Sequence, residues 1–288
     1  RSKWQGNPTD ICPVGALTSR VFRFEARVWE LSETPTICPL CSVGCNIQVE
    51  VKNNEVRRIV PRENLAVNDV WICDWGRFAH GFVDHPDRLT EPLIRRDGHL
   101  EPATWQEALD LVAQRLGKTL EDKGPGAVGA LGSARVTNEA NYLLQRLMRA
   151  VVGSNNIDHL GRMPEGLAPL ASLPDLEEKD VVLLLDCDPS AEAPLVELWI
   201  KKAVLRHGAR VLVANSRRVE LVRYAEPWLG YRPDTAVALL NGLARAMLDQ
   251  GLEPGGSSRT TSRPTNTQEF RSWLGDYGPV EVERLTGV

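Results

Sequence analysis

Three cysteines on one short loop, "CPLCSVGC" at residues 38–45, and a fourth at Cys73 set the strongest constraint on what this chain can fold into. The pattern reads C-x2-C-x3-C-x27-C through Cys38, Cys41, Cys45 and Cys73, so a common site needs a residue 28 positions downstream to return to the loop. Six cysteines in 288 residues, four of them within 36 positions, are unlike the dense framework of a small disulfide-stapled domain, and a reducing compartment is expected. Four thiolates can hold zinc or an iron-sulfur cluster. Structural zinc sites usually draw two ligands from each of two C-x2-C knuckles. A 4Fe-4S cluster instead offers four iron corners, three of which one loop can reach while a distant residue closes the last. The spacing points to the cluster, with zinc and an unliganded set of buried thiols as the alternatives.

Gly44 supplies the positive φ that a turn between the second and third ligands calls for. Beyond the loop, Ile47, Val49 and Val51 alternate with polar residues, Asn53-Asn54 makes a turn and Val56 to Val60 returns, which predicts a β-hairpin. Trp71, Ile72 and Cys73 then arrive at the site, with Trp75 and Phe78 expected to shield it from water by packing. Upstream, Cys12 precedes Pro13 in "ICPVGAL". This has the form of the closing Cys-Pro of a bacterial ferredoxin run, whose last cysteine ligates a different cluster from its neighbours. Either Cys12 completes a second cluster whose other ligands lie before Arg1, or it is a buried structural thiol.

A net charge of -4 without any run of five or more lysines and arginines does not suit a phosphate backbone, so no nucleic-acid partner is expected. The longest aliphatic run, Val181 to Leu185, is far short of the roughly 18 apolar residues of a bilayer span. Membrane attachment is expected only through partner subunits. The chain opens on Arg1 and closes on "VERLTGV" without a helix cap or closing strand, which predicts a piece cut from something longer.

The second half predicts strands alternating with helices. Trp105 to Leu116 has helical periodicity, Ala127 to Leu131 reads as a short buried strand, and Asn138 to Val152 as an amphipathic helix ending before Gly153. Val181 to Asp186 is a further strand, Glu192 to His207 a helix closed by Gly208, Arg210 to Ala214 a strand and Thr235 to Leu248 a helix. This alternation indicates a doubly wound parallel α/β domain. No G-x-G-x-x-G follows a strand, so NADH is expected on another subunit. Cys187 reads as a small core residue, and Asp186 and Asp188 as a loop capping the next helix. The five histidines show no metal-ligand spacing, and Pro254 to Gln268 reads as an exposed linker leading to a short helix near Thr267 to Leu274.

"TDICPVGAL", "RFEARVWEL", "TPTICPLCSVGC" and "WICDWGRFAH" together resemble the large iron-sulfur subunit of bacterial proton-pumping NADH:quinone oxidoreductase, respiratory complex I. The resemblance implies a 4Fe-4S cluster on Cys38, Cys41, Cys45 and Cys73, and a second, partial 4Fe-4S site in which Cys12 joins ligands outside this chain. It also implies a peripheral, cytoplasmic-face position on the inner membrane beside other peripheral-arm subunits, including those binding flavin and NADH. The implied division is the C-terminal tail of a ferredoxin-like cluster domain over residues 1–31, a 4Fe-4S domain over 32–100, an α/β molybdopterin-oxidoreductase-like domain over 101–250, and a linker with the start of the next segment over 251–288. The large iron-sulfur subunit in turn resembles molybdopterin oxidoreductases such as formate dehydrogenases. Several of their positions differ here: Pro164 follows Met163 where they carry a metal-binding cysteine or selenocysteine, Trp75 stands for a lysine, and Asn215, Ser216 and Val219 stand in "ANSRRVE" for part of an Asp-Pro-Arg-Arg-Thr sequence. The expectation is therefore an electron-transfer subunit with no catalytic residues and no molybdopterin, and the alternative is a molybdopterin-dependent oxidoreductase of the formate dehydrogenase kind.

Overall fold

The computed structural model of the chain describes residues 2–159, 171–252 and 267–288. The chain is of the α/β class, with a small β-rich region before a parallel α/β region. It divides into two compact units, one of Arg1–Gly81 with Ala168–Val288, the other of Phe82–Leu167. Residues 162–165 and 254–266, named above, lie outside the described residues.

The first unit opens with a short helix α1 (Asn7–Ile11), with Pro8 in its first turn where a missing N–H costs nothing. Strands β1 (Ser32–Ile37), β2 (Asn46–Lys52) and β3 (Glu55–Pro61) form an antiparallel sheet in that order. Asn53 and Asn54 both adopt positive φ, 54° and 63°, the twist a two-residue hairpin turn requires. The expected hairpin is therefore β2 and β3. Strand β1 escaped the sequence reading because "SETPTI" has no buried face and carries Pro35, which an edge strand tolerates. Helix α2 (Asp74–Phe78) follows directly on Cys73.

In the second unit, β4 (Leu93–Arg96) and β5 (His99–Pro102) pair across an Asp97-Gly98 turn, also with φ positive at both residues. Helix α3 (Trp105–Lys123) outruns the expected stop at Leu116. An interior glycine such as Gly117 costs about 1 kcal/mol but does not break a helix, and the chain turns instead at Gly124, with φ 75°. Strand β6 covers only Ala130–Leu131 because Pro125–Ala127 forms a tight helical turn. Helix α4 (Asn138–Arg146) runs on as a wider turn over Leu147–Val152 and ends on left-handed Gly153, where the sequence put the stop. Strand β7 (Ile157–Asp158) pairs parallel with β6.

The first unit resumes with β8 (Val181–Leu185), α5 (Pro189–Glu192), α6 (Pro194–His207), β9 (Arg210–Ala214), β10 (Ala225–Leu229), α7 (Ala236–Asp249), α8 (Thr267–Trp273) and α9 (Pro279–Thr286). Strands β8, β9 and β10 form a parallel sheet with β9 in the middle, in register from Val181 opposite Arg210 to Leu185 opposite Ala214. Val182, Leu184, Val211 and Val213 bury one apolar cluster with Ile200 of α6 and Leu221. The helix expected from Glu192 is broken at Ala193, whose extended φ of -149° follows from the clash that Pro194 imposes on the preceding residue. Strand β10, absent from the sequence reading, contains Pro227 and sits at a sheet edge, and α9 ends on a left-handed Gly287, so "VERLTGV" does carry a helix cap.

Thr104 accepts the Glu107 N–H and Glu107 accepts the Thr104 N–H, a reciprocal cap at the start of α3. Thr104→Ala is expected to lower stability by about 1 kcal/mol, read by urea unfolding.

Candidate metal centre

The cysteine loop closes the β1–β2 hairpin. Ile37 pairs with Asn46, and one residue further in, the Cys38 N–H donates to the Cys45 carbonyl at 2.8 Å, so the ladder itself brings the first and third cysteines together. Gly44 turns the loop with φ 66°. The return of Cys73 depends on Asn68, whose side chain is fully buried. Its Oδ1 accepts the Asn46 N–H at 2.8 Å and its Nδ2 donates to the Trp71 carbonyl at 3.1 Å, fastening the 62–71 segment beside Cys45.

Cys73 then caps α2, its thiol accepting the Gly76 N–H at 3.4 Å. A Cβ on Gly76 would stand 3.4 Å from the Cys38 sulfur and 3.0 Å from Ile72 Cγ1. The absent side chain therefore lets the Cys73 turn lie directly against Cys38. That contact closes the 27-residue gap between the third and fourth cysteines.

Cys38, Cys45 and Cys73 are buried and Cys41 is half-buried. Their wall is Ile47, Ile59, Ile72 and Leu195, with Trp4 and Trp71 packed behind. The expected shield of Trp75 and Phe78 does not form: these side chains are 66% and 39% exposed. Cys73, Gly76 and Arg77 share the inner face of the short helix at spacings of three and four, which turns positions 75 and 78 outward.

Burial pushes the Cys45 thiol up to about 12, with Cys38, Cys41 and Cys73 adding as like-charged neighbours. The thiols of Cys38 and Cys73 are raised by the same desolvation, against which the Leu40 N–H at Cys38 and the Gly76 and Trp75 N–H groups at Cys73 work. The pocket thus disfavours bare thiolates yet aims backbone donors at its sulfurs. Such a site suits thiolates neutralised by a metal group, with N–H···S bonds adjusting it. Among the described residues, no three His, Cys, Asp or Glu side chains close on a point that a single ion could share. Three buried thiols and a half-buried one about a single apolar pocket are donors of the kind that a 4Fe-4S cluster takes. The donor set fits the cluster.

Cys12 stands outside this buried group, partly exposed at the end of α1. Backbone N–H groups of Leu17, Val14 and Ala16, and more weakly Gly15, hold its thiol below the usual range. Cys187 packs against the parallel-sheet core, and Asp188 caps α5 by accepting the Ser190 N–H at 3.1 Å, both as the sequence suggested. Sequence reasoning missed Asn68 and Gly76. A buried asparagine leaves no periodic trace, although a glycine three residues after a candidate ligand is a visible mark of close approach.

Residues 31–85, which contain the four grouped cysteines, match the family described as Molybdopterin oxidoreductase Fe4S4 domain, and residues 88–254 match that described as Molybdopterin oxidoreductase. The chain belongs to the molybdopterin oxidoreductase family. Among curated members, NADPH-Fe(3+) oxidoreductase subunit alpha of Geobacter sulfurreducens is 35% identical over 98% of this chain and 34% of its own length. NADH-quinone oxidoreductase subunit 3 of Thermus thermophilus is 42% identical over 70% of this chain and 25% of its own. Formate dehydrogenase H of Escherichia coli is 30% identical over 90% and 38%. This molybdopterin oxidoreductase chain therefore spans between 25% and 38% of the length of these relatives. The solved acetylene hydratase from Pelobacter acetylenicus shares the fold, with TM-score 0.68 over 88% of this chain and 36% of that one, at 20% identity. No helix among the described residues is long and apolar enough to cross a membrane.

Gly76→Ala presses a methyl group against the buried Ile72 side chain, and is expected to lower stability by about 1–3 kcal/mol in a denaturant titration.

Proposed function

We propose that this chain is an electron-transfer part of a larger oxidoreductase, holding a 4Fe-4S cluster on Cys38, Cys41, Cys45 and Cys73. The observation that carries the reading is the buried pocket in which the Cys73 turn lies against Cys38, with N–H groups aimed at the sulfurs. A 4Fe-4S group bound there supplies one-electron transfer. The chain's own residues do the rest. Ile47, Ile59, Ile72 and Leu195 exclude water from the thiolates, and the Leu40, Trp75 and Gly76 amides stabilise their negative charge. Both effects set the potential at which an electron is accepted.

Cys12 serves in this reading as one ligand of a second cluster whose other ligands lie elsewhere. Its partly exposed thiol, met by the N–H groups of the 14–17 turn, supports that role. The assembly we favour is an NADH:quinone oxidoreductase of the complex I kind, with this chain in the peripheral arm, attached to the membrane through partner subunits on the cytoplasmic face. The 42% identity to a Thermus thermophilus subunit of that name supports it.

The same reading has no molybdopterin on this chain. At the carboxyl ends of β8 and β9, where a sheet of this type takes a ligand, Asn215 is committed to its own loops. Its Nδ2 donates to the Cys187 carbonyl at 3.2 Å and its Oδ1 accepts the Arg217 N–H at 2.8 Å. Arg218 lies over the Trp228 ring, 5.5 Å from its centroid. A molybdopterin-dependent oxidoreductase is the competing reading, favoured by the family match over residues 88–254.

Anaerobically isolated full-length protein is expected to carry iron and acid-labile sulfide with no extractable pterin. Cys38→Ser should remove one electron paramagnetic resonance signal of the intact complex while NADH oxidation persists. Zinc without sulfide would refute the cluster, and bound pterin with formate turnover would establish the competing reading.

A further inference from the structure

The N-terminal segment, residues 3–10, is stitched to the turn that presents Cys73. The Asp74 N–H donates to the Lys3 carbonyl at 2.7 Å. Asp74 in return accepts the Gln5 N–H at 3.0 Å and the Gly6 N–H at 2.8 Å on its two carboxylate oxygens. Asn7, only 2% exposed, treats Ile72 as a strand partner would: its Nδ2 donates to the Ile72 carbonyl at 2.8 Å, and its Oδ1 accepts the Ile72 N–H at 3.2 Å. Arg77, 4% exposed, donates to Asp10 at 2.5 Å and to Asn7 Oδ1 at 3.3 Å. A Cβ on Gly6 would collide with Arg77 Cδ and Nε, so glycine is needed for the approach. The segment's other end is anchored by Lys3, which reaches the Ser190 carbonyl and pairs with Glu220 at 3.4 Å and buried Glu197 at 3.8 Å.

Residues 72, 74 and 77 flank Cys73 on both sides, and each hydrogen-bonds to the N-terminal segment, Arg77 also reaching the Ile59 carbonyl at 3.5 Å. Of the loop cysteines, Cys38 and Cys45 are tied to each other by the β1–β2 ladder. Cys73 alone sits on a one-turn helix, which in isolation is unstable.

We propose that Asn7, Asp74 and Arg77 form a latch in which the N-terminal segment holds Cys73 at the fourth corner of the cluster. They are positioning residues, acting through the Cys73 turn. The inference rests on the 4Fe-4S reading above and adds which part of the chain secures the most detachable ligand. With the latch weakened, the corner at Cys73 opens first. When a one-electron oxidant such as ferricyanide takes up an electron from the cluster, one ferrous ion then leaves that corner, while three irons and four sulfides stay on Cys38, Cys41 and Cys45.

The test uses the full-length iron-loaded protein, ferricyanide and a ferrous chelator. Asn7→Leu and Asp74→Ala are expected to release iron about 10- to 100-fold faster than the unaltered protein, matching the loss of metal affinity of about that size which removal of outer hydrogen-bonding groups brings at other sites. The resonance signature of a three-iron cluster should rise in step. Asp74→Asn, which keeps one acceptor oxygen for the two N–H groups, should fall between and decides the matter if Asp74→Ala fails to fold. Thr104→Ala, at a helix cap in the other compact unit, should release iron at the unaltered rate. Unaltered release rates in Asn7→Leu and Asp74→Asn would overturn the latch. So would faster release without a three-iron signal, since general loosening destroys the whole cluster. Unaltered protein carrying no iron would overturn the cluster reading itself and the latch with it.

Discussion

Charge in an apolar pocket is the constraint on which the rest of this structure depends. Three of the four cysteines are buried against Ile47, Ile59, Ile72 and Leu195, and burial holds their thiols in the neutral form. A pocket of that kind is costly as a set of thiolates and stable once a cationic metal group shares their charge. The surrounding architecture consists largely of means for delivering sulfurs and amide donors to that space. The β1–β2 ladder, the Asn68 bridge and the Cys73 cap each place one part of it.

The site is not the property of the β-rich region alone. Leu195 belongs to α6, well outside residues 31–85 that match the iron-sulfur domain family, and Trp199 on the same helix donates its indole N–H to the Val67 carbonyl at 2.9 Å. Lys3 carries the N-terminal segment to Glu197 and Glu220. Helix α6 thus serves two cores. It packs Ile200 on the parallel sheet and Leu195 on the cysteine pocket. Residues early and late in the chain consequently form one compact unit.

How much was legible beforehand varied with the physics of each feature. The β2–β3 hairpin was readable because one face alternates and two asparagines tolerate positive φ, and the stops at Gly153 and Gly208 because glycine alone takes a left-handed cap without strain. Strands β1 and β10 were not, since each contains a proline and owes its pairing to an edge position that only the neighbouring strand defines. Helix α3 departs in the opposite sense, running past Leu116 because the modest local cost of Gly117 is outweighed by the rest of the helix. Trp75 and Phe78 were assigned to the pocket by proximity in sequence, and the rotation of a single helical turn sent them to solvent.

Taken alone, the order of residues determined the candidate ligands and the alternation of strands and helices, because both are written in local spacing: thiols at intervals of three and four, apolar residues at periods of two and near four. Tertiary structure decided which cysteines share a pocket and what surrounds them. Around the Cys73 turn, Asn68, Asn7 and Asp74 bond through their side chains to distant backbone groups, and Cys12 is left outside the buried group. Hydrogen bonds between segments some 60 residues apart leave no periodic mark on the sequence, so only the folded chain reveals them.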